Sequence, residues 1–82
     1  MLFVFGLSNA ATITSTATGG LWSATTSWVG GVVPAAGDNV IIATTGTSSV
    51  DVQANITQTG SVTVINGAIF ASTTGATVVI GS

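Results

Sequence analysis

The chain has 82 residues, with no Lys, Arg, His or Cys, and its only acids are Asp38 and Asp51. That length suits one small domain with a limited core. The missing side chains exclude disulfides, thiolate and imidazole metal sites, and the usual general bases. The missing cations also exclude the phosphate neutralisation that drives nucleic-acid binding and the attraction to anionic lipid.

The apolar fraction is 46% and the rest is largely Thr, Ser, Gly and Asn. This is too apolar for a disordered chain. Abundant Val, Ile and Thr fit pleated, half-buried surfaces and point to an all-β domain. So little charge favours association and suits an extracellular surface protein better than a cytosolic monomer.

Residues 1–10 form an apolar N-terminal segment. Met1–Leu7 is followed by Ser8-Asn9-Ala10, small residues where a signal peptidase reads. No basic region precedes it and the run is too short to span a bilayer, so the expectation is a retained strand, with a truncated signal peptide as the alternative. Residues 11–82 form the domain. Ala11–Thr18 alternates loosely and reads as an edge strand, broken by Gly19-Gly20.

Trp22 and Trp28 follow, six residues apart and separated by small polar residues. The expectation is a turn between them, with both rings folded over one end of a core. An exposed Trp could instead stack on a sugar, so Trp22 and Trp28 are also the candidate ligand-binding residues. Gly30-Gly31 and Pro34-Ala35-Ala36-Gly37-Asp38 are turn chemistry. Pro34 would set φ at the first corner and Gly37 could take a positive φ. The Asp38 carboxylate would staple the turn by accepting backbone N–H groups.

Short strands occupy the remainder: Val40–Ile42, Val50–Val52, Val62–Ile65, Ala68–Ala71 and Val78–Ile80, with Ile56 standing alone. In Val50-Asp51-Val52 the alternation points Asp51 outward. Val40 to Val62 is a step of 22 residues, Val62 to Val78 one of 16, and Val50 to Ile69 one of 19. Recurrence near twenty residues is the low end of the solenoid range, so the expected fold is the first coils of a parallel β-helix. The alternative is a small antiparallel β-sandwich in which Asn66-Gly67 turns a hairpin between Val62–Ile65 and Ala68–Ala71. Nothing after Val78–Ile80 has the polar character of a solenoid cap, so self-association through exposed strand edges is expected, as in a filament subunit, or else further coils of a longer protein.

The order Trp22, Trp28, Gly30-Gly31, Val33-Pro34, Gly37-Asp38 and then the β-branched run Val40–Ile42 resembles the start of the eight-glycine domain of extracellular proteins. It is also similar to the N-terminal region of Bacteroidetes-like surface proteins exported by the type IX route. The resemblance covers about Thr12 to Phe70. It implies an all-β domain leading into a right-handed parallel β-helix, a secreted or cell-surface setting, and adhesion or carbohydrate binding. Some such proteins degrade polysaccharides, but the domain brings no catalytic motif with it.

No nucleophile–base pair can be assembled from these residue types. Asp38 and Asp51 are each explained by a turn or an outward strand position, not by a glycosidase pair. Calcium would need roughly six to eight oxygen ligands, far more than two carboxylates supply. Asn55-Ile56-Thr57 matches the N-glycosylation pattern, a triplet that arises often by chance in Thr-rich chains. The expected function is therefore a non-catalytic structural or adhesive module, without metal or cofactor. The alternatives are a self-assembling filament subunit, a carbohydrate-binding module, and the N-terminal part of a polysaccharide-active enzyme. The expected partners are further copies of itself and an extracellular glycan or matrix, with no membrane insertion.

Overall fold

The computed structural model describes residues 11–72 and 74–81. The expected strand or signal segment in Met1–Ala10 lies outside them. The described residues form an all-β fold of eight short strands and one 3-10 turn: β1 (Thr12–Thr14), β2 (Gly20–Leu21), the 3-10 turn Thr25–Ser27, β3 (Asn39–Ile42), β4 (Val50–Val52), β5 (Ile56–Gln58), β6 (Val62–Val64), β7 (Phe70–Ser72) and β8 (Val78–Ile80).

Every strand pairing is parallel. The sheets run β1-β3-β6, β2-β4-β7 and β5-β8. Their registers place Val40 beside Val62, Val50 beside Phe70 and Ile56 beside Val78, steps of 22, 20 and 22 residues. Consecutive strands therefore never pair with each other. Each of β1 to β5 pairs with a strand a full circuit later, as parallel strands require of their connections.

This arrangement corrects three expectations. There is no antiparallel sandwich. The turn at Asn66-Gly67 exists, closed by the Ala68 N–H on the Ile65 carbonyl at 2.9 Å, but the strands it joins lie in different sheets. The step from Val62 to Val78 is no repeat, because Val78 stacks on Ile56, whose strand the spacing alone did not bring out. Val50 aligns with Phe70 and not with Ile69, since inward positions must stack on inward positions.

The core follows from the same alternation. Trp22, Trp28, Val40, Ile42, Val50 and Val52 are its buried residues, with Ile13, Val33, Ile56, Val62, Phe70 and Val78 packed around them. Asp51, between two fully buried valines, is half-buried. No helix among the described residues is long and apolar enough to cross a membrane.

Candidate functional site

The Trp stretch builds one end of the molecule. The 3-10 turn Thr25–Ser27 reverses the chain between the two indoles. The rings meet edge to face, centroids 5.0 Å apart at 78°, and Trp22 also leans on Phe70 at 5.6 Å. Edge-to-face contact is the preferred geometry for aromatic pairs. Trp28 Nε1 donates to the Trp22 carbonyl at 2.8 Å, giving the buried indole N–H its partner. Trp22 is 6% exposed and Trp28 2%. A sugar platform needs a free ring face, and at these exposures neither ring has one.

One small cavity lies against Trp22. It has a volume of about 110 Å³ and is lined by Trp22, Ser23, Val52, Gln53, Ala54 and Ile56. At its rim the Gln53 amide donates to an Asp51 carboxylate oxygen at 3.2 Å. The walls are mostly apolar and the polar groups few. Such a cleft can hold a small apolar group, but it offers no nucleophile beside a base.

The second constellation surrounds Asp38. The turn Ala35–Asp38 is closed by the Asp38 N–H on the Ala35 carbonyl at 3.0 Å. The carboxylate accepts from Ala35 N at 2.9 Å and from Ala11 N at 3.1 Å, tying the turn to the strand start one circuit earlier. Gly37 does not take a positive φ. Both central residues of the turn, Ala36 and Gly37, stay at negative φ, as in a type I turn and not a type II. Pro34 is buried ahead of the turn and is not at its corner.

Sequence reasoning missed the roles of four residues in this coil-to-coil stacking. Gln58 is 2% exposed, and its amide donates to the Ala35 and Asp38 carbonyls at 2.7 and 2.6 Å. Gly60 passes so close to the turn that a Cβ on it would lie 2.0 Å from the Asp38 carbonyl oxygen. Asn39 opens β3 and its side-chain oxygen accepts from Ser61 N at 3.2 Å, 22 residues on. Asn55, immediately before β5, does the same for Thr77 N at 2.9 Å, again 22 residues on. The signal was present as an Asn directly before an apolar strand, followed one period later by Ser or Thr before the next. Asn55 thus acts in coil stacking, whatever the surrounding triplet suggests.

The two acids sit at different places, Asp38 in its turn and Asp51 in β4. Among the described residues no group of three or more His, Cys, Asp or Glu side chains could hold a metal. Comparison with protein-family models, curated proteins and solved structures finds no match.

Proposed function

We propose that the chain forms successive coils of a right-handed β-solenoid and serves as a non-catalytic structural or adhesive module of a secreted or cell-surface protein. The carrying observation is that all three sheets are parallel and that the last step in each is nearly equal, 22, 20 and 22 residues, after longer first steps of 27 from Ile13 to Val40 and 30 from Gly20 to Val50. The paired Asn bonds at 22 residues support the same repeat from the side chains. The order of residues from Trp22 to Asp38, with its resemblance to extracellular β-helix openings, supports the setting. The handedness rests on that resemblance and on the general right-handed bias of parallel crossovers.

A stack of short strands presents rows of Thr and Ser on its outside while apolar residues fill the inside. The burial of both Trp rings favours a structural role for them over glycan stacking. Trp fluorescence should therefore stay unchanged when soluble glycans are added.

Two measurements test the proposal. Antibodies against the chain should label intact, unpermeabilised cells that produce it, or detect it in their medium. Labelling only after permeabilisation would overturn the surface setting. Cells lacking the segment should adhere less to matrix- or glycan-coated surfaces while retaining their polysaccharide hydrolysis. Loss of hydrolysis with adhesion intact would instead favour the front end of an enzyme.

A further inference from the structure

Three asparagines, Asn39, Asn55 and Asn66, lie among the described residues. Two of them are locked by the coil stack. Asn39 Oδ1 accepts from Ser61 N at 3.2 Å and from Ser61 Oγ at 3.1 Å, and the next amide, Val40 N, donates to Ser61 O at 2.7 Å. Asn55 Oδ1 accepts from Thr77 N at 2.9 Å, and Ile56 N donates to Thr77 O at 3.0 Å. At both places the carboxamide and the amide that follows it are held, and a stiff β-branched side chain crowds that amide.

Asn66 differs on every count. It is exposed and followed by Gly67, and among the described residues neither its side chain nor the Gly67 N–H has a hydrogen-bond partner. The turn at residues 65–68 is closed by the Ala68 N–H on Ile65 O at 2.9 Å. Gly67 sits at φ 85° and Asn66 at negative φ, the pattern of a type II turn, which calls for glycine at its third position. The turn thus places an amide with no Cβ beside it directly behind an unheld carboxamide. The corner one coil earlier, residues 45–47, has this turn stacked on it, with Thr45 bridging Ala68, and is exposed all the same. This corner therefore stands out of the stack, and a coil laid over it leaves it in solvent.

We infer that Asn66 is a site of spontaneous deamidation, a modification that the fold permits there and withholds from Asn39 and Asn55. Hydroxide takes the Gly67 amide proton, and the nitrogen bonds to Asn66 Cγ to close a succinimide ring. The Cγ–Nδ2 bond breaks, and the side-chain nitrogen takes a proton from water and leaves as ammonia. Water then opens the ring at Cγ, giving aspartate at position 66, or at the main-chain carbonyl, giving isoaspartate with an extra methylene in the backbone. Either product brings a carboxylate to a coil with no ionisable side chain from Thr59 to Gly81. Isoaspartate also lengthens a turn that is pinned on both sides to the coil beneath, by Ile65 N on Ile42 O at 3.1 Å and Ile69 N on Thr44 O at 3.0 Å. The bond at Ala68 N is then the one that gives. The modification rests on this corner and not on the proposed surface role.

Incubation of the whole folded chain in mildly alkaline buffer tests the inference, with circular dichroism reporting that it stays folded. Peptide mass mapping should show loss of ammonia at Asn66 while Asn39 and Asn55 keep their amides. Protein isoaspartyl methyltransferase should label the same peptide, and ion exchange should resolve a species one unit more negative than the starting net charge of −2. The rate at Asn66 should be close to that of the chain in denaturant, and amide exchange at Ala68 should quicken as the product accumulates. Asn66→Gln, whose longer side chain closes such a ring far more slowly, should keep its amide and its Ala68 exchange rate over the same period. An intact Asn66 in the folded chain would overturn the inference, as would a rate many-fold below that in denaturant or equal loss at Asn39 or Asn55. Exchange at Ala68 that quickens equally in Asn66→Gln would overturn the proposed effect on the turn.

Discussion

The Trp-capped first coil and the open last coil carry the same kind of strand but different side-chain environments. Thr12–Thr14 is mostly polar, yet its edge is covered by a turn that two indoles hold in place. Val62–Val64 is more apolar, yet half of its surroundings are solvent. Composition therefore does not decide which end is closed. What closes an end is a segment able to turn back on its own strand, and among the described residues the stretch between Trp22 and Val29 has the 3-10 turn and the large rings to do so.

The sharpest break of this comparison is removal of the cap. Trp28→Ala deletes a buried ring and its N–H bond, and should lower unfolding free energy by about 3–5 kcal/mol. Chemical denaturation measures it, and a cost near that of a surface substitution would show that the cap is dispensable. Next is a pair of substitutions within one stack. Ile42→Ala should cost about 2–4 kcal/mol, as for a buried aliphatic residue. Val64→Ala, in register with it on the open coil, should cost below about 1 kcal/mol when measured at low concentration. Equal costs would mean that the last coil is covered in solution.

The turn-side stacking gives two smaller effects. Gly60→Ala forces a methyl against the Asp38 carbonyl and should cost about 1–3 kcal/mol. Gly37→Ala, where a Cβ meets nothing within 4 Å, should stay within about 0.5 kcal/mol of the parent. Thermal melting of the two variants side by side checks the contrast. Gln58→Leu keeps the volume but strips two carbonyls of their donor, for a loss of about 1–2 kcal/mol. An unchanged midpoint would mean that water replaces the amide.

Much of the fold was legible. The strands Val50–Val52 and Val78–Ile80 and the step from Val40 to Val62 all follow from short β-branched runs, some alternating and some continuous. The site was less so. Gln58 looked like one polar residue among many, because its buried role depends on a turn twenty residues earlier. Gly60 was unremarkable for the same reason: its conformation is ordinary, and only the approach of another coil excludes a side chain. Ile56 seemed isolated because its partner, Val78, was assigned to a different series.

The amino-acid sequence by itself determined the all-β character, the step from Val40 to Val62, and the absence of cationic, imidazole and thiol chemistry. Those are local or compositional properties, set by side-chain branching, period-two alternation and the residue types present. Tertiary structure alone decided that Ile56 stacks on Val78 and Val50 on Phe70, that Gln58 and Gly60 pack against the Asp38 turn, and that the segment Ser27–Val29 lies along β1. Each of these depends on contacts between residues a full coil apart or on a chain reversal, and no local pattern carries that information.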